Sequence, residues 1–131
     1  MKWIAVVGAL LAAIGVGLGA FGAHGLDDQL RRLGHEASLS KRLAWFDTAV
    51  RYQLYHALGM LVIAALMGAQ PNGWYRAAAG LFVLGITLFS GSLYAMTFAG
   101  DAWRKLGMIT PLGGLAFIVG WVLLAAAVWK K

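Results

Sequence analysis

The sequence predicts an all-α, four-helix transmembrane bundle running up-down-up-down, with an interfacial amphipathic helix between spans 1 and 2. Three observations carry the prediction. Four apolar segments, at approximately 3–25, 46–69, 74–99 and 108–129, each reach the ~20 residues needed to cross about 30 Å of hydrocarbon. Hydrophobic residues make up 61% of the chain and charged residues 12%, against about half and about a quarter in soluble domains. Five of the six tryptophans fall at segment ends: Trp3, Trp74 and Trp129 on one side, Trp45 and Trp103 on the other. Indoles concentrate at the two membrane interfaces in this way. Trp121 alone falls well inside a span.

A chain of 131 residues is read as one domain. Short connections between four spans place both termini on one side and the longer Leu26–Trp45 connection on the other. These are the terminus side and the long-loop side below. The net charge of +6 follows from lysines and arginines flanking the spans, where they meet anionic headgroups. No basic and aromatic groove pattern accompanies it, so nucleic acid is not an expected partner; the lipid bilayer is. The absence of cysteine excludes disulfides, iron–sulfur clusters and thiolate metal sites. The first apolar run is about twenty residues, longer than the roughly 7–15 of a signal-peptide core, and reads as a span.

In span 1, Gly8, Ala12, Gly15, Gly19 and Gly22 recur at spacings of four and three, a seam that lets another backbone come close. Ala13, Gly17, Ala20 and His24 repeat the spacing on the opposite face. Two small faces predict either the central helix of the bundle or half of a homo-oligomer contact through Gly8, Gly15, Gly19 and Gly22. The glycine-rich end, Gly19 to Leu26, is expected to stop or kink the helix and free backbone groups.

In the connection, Leu26, Leu30 and Leu33 share a face, with Asp27 and Asp28 at the favourable N-terminal end. Gly34 then ends that helix, and Ser38 or Ser40 can cap the next. Leu39, Leu43, Phe46 and Val50 continue an apolar stripe, so span 2 starts among the headgroups and runs unbroken into the bilayer. Gln70-Pro71-Asn72-Gly73 reads as a tight turn. Span 3 carries Thr87, Ser90, Tyr94 and Thr97 as a polar stripe, with Gly80 and Gly91 beside it. Span 4 opens on Thr110-Pro111, a cap and a first-turn proline, followed by Gly113, Gly114 and the Ala116/Gly120 pair.

The densest polar run is Asp47 to His56. Tyr52 and His56 are four apart and share a helix face, with Gln53 about 60° from His56 around the axis. Asp47 and Arg51 form an i,i+4 pair in the favourable order. Alternating the span directions gathers His24, Arg51, Tyr52, Gln53, His56, Ser90, Ser92, Tyr94, Thr97 and Thr110 in the long-loop half. The terminus half offers little beyond Gln70 and Asn72. Polar groups at bilayer depth cost several kcal/mol each unless partnered. The expectation is therefore a one-sided polar pocket beneath an amphipathic lid, with His24, Arg51, Tyr52, Gln53, His56, Ser90, Ser92 and Tyr94 as ligand-binding residues.

Each candidate has a structural alternative. Membrane serines and threonines commonly bond back to their own helix, tyrosines form interfacial belts, and a solvated Asp47–Arg51 pair is worth about 0–1 kcal/mol. Intramembrane histidines also serve as hydrogen-bonded links between helices. Catalytic chemistry fares worse. Two histidines without a cysteine or a deep carboxylate fall short of a metal site. A bis-histidine haem has only Arg51 for its propionates. Ser90 or Ser92 with His56 and Asp47 lacks a nucleophile elbow. No catalytic residue, metal or cofactor is assigned.

Four motifs resemble the YgdD-like family of small membrane proteins, a domain of unknown function (423). They are Gly19-Ala20-Phe21-Gly22-Ala23-His24-Gly25; Tyr52-Gln53 with His56-Ala57-Leu58; Leu88-Phe89-Ser90-Gly91-Ser92-Leu93-Tyr94; and Thr110-Pro111-Leu112-Gly113-Gly114 leading to Gly120-Trp121. The motifs cover all four spans in order. The resemblance implies a multi-pass inner- or plasma-membrane protein with no established activity and with its motif residues clustered at the polar site.

Two functions from different classes follow. One is a binding or accessory protein whose pocket takes a lipid headgroup, a small polar ligand or a partner helix. The other is a small transporter or proton relay through His24, His56, Tyr52 and Tyr94, its pore supplied by oligomerisation. A lipid-modifying enzyme is third, for want of a nucleophile, base and orienter. Seven lysines and arginines flank the long-loop side and four the terminus side, which leans the long loop towards the cytoplasm.

Overall fold

A computed structural model describes residues 2–69 and 72–130. Gln70 and Pro71, half of the expected turn, and Lys131, one of the counted cations, lie outside the described residues. The helices are α1 (Lys2–His24), α2 (Leu26–Arg32), α3 (Leu39–Met67), α4 (Gly73–Gly85), α5 (Gly91–Phe98) and α6 (Thr110–Trp129). Short 3₁₀ segments, Glu36–Ser38 and Asp101–Met108, lead into α3 and α6, and a π-helical turn, Ile86–Ser90, joins α4 to α5. Among the described residues, four stretches are long and apolar enough to cross a membrane: Lys2–His24, Glu36–Met67, Gly73–Phe98 and Asp101–Trp129. The chain is a four-span helical membrane protein.

Neighbouring spans run antiparallel, as their contacts show. Gly8 faces Ala57 and Met60 while Gly22 faces Phe46. Gly120 faces Phe82 and Ala78 while Gly113 sits on the backbone of Phe89. The hub is α3, whose buried residues Arg42, Phe46, Ala49, Gln53, His56, Met60, Ile63 and Met67 are spaced four and three apart along its full length. That stripe meets the third span on one side, while α1 packs against the flank of α3.

The expectation that α1 is central is corrected. Only Ile4, Gly8 and Gly15 of α1 are buried, and its one long contact is with α3. The glycine seam is used within the chain. A Cβ at Gly15 would meet Leu54 Cδ2 at 2.7 Å, and one at Gly8 would meet the Ala57 carbonyl oxygen at 3.0 Å. The homo-oligomer contact expected through Gly8, Gly15, Gly19 and Gly22 therefore has its face already covered by α3. Space beside Gly17, on the opposite face, is open.

Glycine also sets the third and fourth spans close together. Fully buried Phe82 lies between Gly59 of α3 and Gly120 of α6, where a methyl group added to either glycine would stand 2.8 Å from the ring. Phe117 fills the space left at Gly85. A side chain at any of these glycines would push aromatic rings apart, so the three positions hold the helices at contact distance.

On the long-loop side, α2 buries Leu26 and Leu30 and leaves Leu33 48% exposed, so two of the three expected leucines form its anchored face. Gly34, at φ +83°, ends this turn in the left-handed region where glycine has no steric penalty. Ser38 occupies the N-cap position of α3 without capping it; its hydroxyl accepts from Arg42 instead. Asn72 caps α4, its Oδ1 accepting from Trp74 N–H at 2.9 Å. Thr110 likewise opens α6 without capping it.

The π turn changes the polar stripe of span 3. One extra residue per turn rotates everything after it, so Ser90 and Thr97 are buried towards α3. Thr87 is left exposed and bonds back to Val83 O at 2.9 Å. It drops out of the stripe expected from regular helical spacing.

Candidate functional site

The polar side chains of the long-loop half bind helices to one another. Gln53 joins three spans: its Nε2 donates to Leu11 O at 2.9 Å in α1, and its Oε1 accepts from Tyr94 OH at 2.8 Å in α5. Ser90 donates to Ala49 O at 2.8 Å. Ser92 and the hydroxyl of Thr110 lie 2.6 Å apart, tying α5 to α6. Thr97 bonds within its own helix to Leu93 O at 2.7 Å.

His56 is the link between α3 and α6. Its Nδ1 lies 2.7 Å from Tyr52 O, and its Nε2 lies 3.1 Å from the indole nitrogen of Trp121. A carbonyl only accepts and an indole N–H only donates, so these partners select the neutral Nδ1–H tautomer. The ring stacks on Phe117, centroids 3.4 Å apart and planes 8° apart. Both ring nitrogens are engaged.

Arg42 is the residue that sequence reasoning missed, because its place just before a span groups it with the headgroup cations. It is 3% exposed. Its Nη1 donates to Met96 O at 3.0 Å, Thr97 O at 2.9 Å and Ala99 O at 2.6 Å, and its Nε donates to Ser38 Oγ at 2.8 Å. His35 Nε2 stands 3.3 Å from Phe98 O. The last carbonyls of a helix have no partner within it, and a cation there also meets the negative end of the helix dipole. Two side chains of the long-loop region thus serve four successive carbonyls at the end of span 3. The signal was present: Arg42 precedes Phe46, Ala49, Gln53 and His56 at spacings of four, three, four and three. It belongs to the buried stripe.

The remaining predicted residues separate. His24 is exposed at the end of α1, where the antiparallel pairing sets Gly22 against Phe46. His56 lies ten residues further along α3, about 15 Å away in height. The two imidazoles do not share a pocket. Arg51 is exposed and pairs with Asp47 at 2.8 Å. Tyr52 stacks its ring on Phe89 at 4.6 Å, and its hydroxyl makes no hydrogen bond among the described residues. The enclosed polar pocket beneath a lid is replaced by a set of satisfied interhelical links. In the terminus half, Tyr75 also escaped the sequence pattern: it is 2% exposed, and its hydroxyl has no hydrogen-bond partner among the described residues.

Among the openings of the described residues, two adjoin the candidate residues of α3. A groove of about 560 Å³ runs between α3 and α6, lined by Tyr52, Tyr55, His56, Phe89, Gly114, Phe117, Ile118 and Trp121. A smaller one of about 300 Å³ lies between α1 and α3, with Phe46 and Val50 at its wall and Asp47 at its edge. The first is aromatic, faces the lipid side of the bundle, and falls within the size range of small-molecule sites. Among the described residues no three histidines, aspartates or glutamates gather as metal ligands. Ser90 and Ser92, the candidate nucleophiles, both direct their hydroxyls to backbone carbonyls.

Comparison with known proteins agrees with the resemblance seen in the motifs. The family described as "Protein of unknown function (DUF423)" matches residues 18–114. The chain is 42% identical to the UPF0382 membrane protein YwdK of Bacillus subtilis, covering 99% of this chain and 98% of that one. It is 42% identical to a UPF0382 membrane protein of Staphylococcus epidermidis, with the same coverage. The UPF0382 inner membrane protein YgdD of Escherichia coli is 32% identical over 94% of this chain and 86% of its own. No solved structure matches. On its profile match and on relatives aligned over nearly its whole length, the chain belongs to the DUF423 family of membrane proteins.

Proposed function

We propose that this protein is an accessory membrane protein that binds an amphiphile entering sideways from the bilayer, in the groove between α3 and α6. The observation that supports this reading is the contrast between the two sets of residues. Gln53, Ser90, Ser92 and Tyr94 are engaged with other helices or with their own, whereas the aromatic groove holds about 560 Å³ of open space. Burying apolar ligand surface against such a wall contributes about 25 cal/mol per Å². The transport reading has less behind it, because His56 has both nitrogens engaged and His24 stands on another helix end.

Native mass spectrometry of protein released from lipid nanodiscs tests the proposal. Wild-type protein is expected to retain lipid, and Gly114→Phe to lose it. A Cβ at Gly114 lies 3.7 Å from the Phe89 ring, an ordinary contact, so the larger side chain enters the groove without displacing the backbone. Equal retention by the two proteins would refute the site.

A further inference from the structure

We infer that the bound amphiphile is an anionic phospholipid, one acyl chain in the α3–α6 groove and its phosphate held at a cationic rim formed by Lys41, Arg104 and Lys105. The inference rests on the proposed function and adds its ligand class.

The path for such a molecule is laid out on α3. Lys41, Trp45, Thr48, Tyr52, Tyr55 and His56 fall within about 100° of arc, so one helix face passes from an ammonium group, across an indole, to the aromatic groove. Lys41 Nζ stands 5.8 Å from the Trp45 ring. Tyr52 lies seven residues below Trp45, about 10 Å deeper along the axis. Side chains of a helix lean towards its N-terminus, which for α3 is the long-loop interface. The phenols of Tyr52 and Tyr55, without hydrogen bonds among the described residues, therefore lean towards the level of ester and phosphate groups.

Charge distinguishes this groove from its surroundings. The acids at the long-loop ends of α3 and of the segment leading into α6 lie outside the groove lining and are matched by arginines: Asp47 by Arg51 at 2.8 Å, and Asp101 by Arg42 at 3.8 Å. Lys41 at the head of α3, and Arg104 and Lys105 in the segment leading into α6, are exposed and make no ion pair among the described residues. Around α2 the balance is reversed, with Asp27, Asp28 and Glu36 against Arg31 and Arg32. An anion is drawn to the α3–α6 side. The wall chemistry favours a lipid over a partner helix: helix contacts in membranes use small residues, and Gly114 is the one small residue in this lining.

The test uses nanodiscs containing equal amounts of phosphatidylglycerol and phosphatidylcholine with matched chains, followed by native mass spectrometry of the full-length protein. Wild type is expected to retain phosphatidylglycerol preferentially, and the preference to fall about fivefold per charge removed in Lys41→Gln, Arg104→Gln and Lys105→Gln. Total lipid retained is expected to hold, since the groove is intact. Equal retention of both lipids by wild type overturns the headgroup assignment while leaving groove binding in place. Lipid retention unaffected by Gly114→Phe and by Ile118→Trp overturns the groove itself. Displacement of phosphatidylglycerol by oleate at equal concentration overturns the phosphate assignment, and crosslinking of Tyr55 to a protein segment in place of lipid overturns the ligand class.

Discussion

Replacing Arg42 with methionine keeps most of the side chain's volume and removes every donor it offers. Met96 O, Thr97 O and Ala99 O then lose the guanidinium, and Ser38 Oγ loses Nε. Hydrogen bonds to charged groups contribute about 1.5–3 kcal/mol, and a buried acceptor left without a partner costs about 1–3 kcal/mol. Water from the interface can reach the partly buried Ala99 end, so the four losses do not add. A destabilisation of about 2–4 kcal/mol is expected. Arg42→Lys retains the charge but offers a compact ammonium in place of a planar fork, and is expected to fall between wild type and methionine. The assay is reversible unfolding in mixed micelles, with hydrogen exchange read at residues 97–104 to show the end of span 3 opening first. An Arg42→Met protein within about 0.5 kcal/mol of wild type, the range of neutral surface substitutions, would refute the capping role.

The other expectations concern packing and single polar groups. Gly113→Ala drives a methyl group into the backbone of Phe89 and is expected to cost about 1–3 kcal/mol as overpacking, whereas Gly17→Ala, with open space beside it, stays neutral or gains slightly from helix propensity; thermal unfolding of the pair in one detergent checks both. Tyr75→Phe removes a buried hydroxyl that lacks a partner among the described residues and is expected to stabilise the protein by about 1 kcal/mol, with a lower melting temperature as the contrary result. A double-mutant cycle of Gln53→Leu and Tyr94→Phe is expected to show coupling of about 0.5–1.5 kcal/mol from the 2.8 Å bond between them; additivity would mean that the bond contributes nothing in the bilayer.

Number, length and direction of the spans were legible because hydropathy and loop length are properties of one segment at a time. Packing partners were not, because they depend on two segments together. The two small faces of α1 are equivalent as patterns, and only the position of α3 decides which is buried. Regular helical spacing puts Thr87 in the polar stripe of span 3, and the π turn that removes it has no firm sequence signature. Ser90, Ser92 and Tyr94 do lie near α3 or α6, but spacing does not reveal whether a hydroxyl faces a ligand or a carbonyl. His24 failed for a geometric reason: sharing a leaflet half with His56 constrains height only to within the half-thickness of the membrane. Arg42 escaped notice because a cation just before a span ordinarily meets headgroups, although its spacing of four, three and four to Phe46, Ala49 and Gln53 in turn placed it on the buried face.

A density map of the full-length protein in nanodiscs containing phosphatidylglycerol bears most directly on the binding site. An acyl chain lying along Tyr52, Phe117 and Trp121, with Gln53, His56 and Ser90 still bonded across the helices, is the expected result. A groove closed by its own side chains, or polar groups turned away from their partner helices towards a ligand at the former pocket, would contradict it.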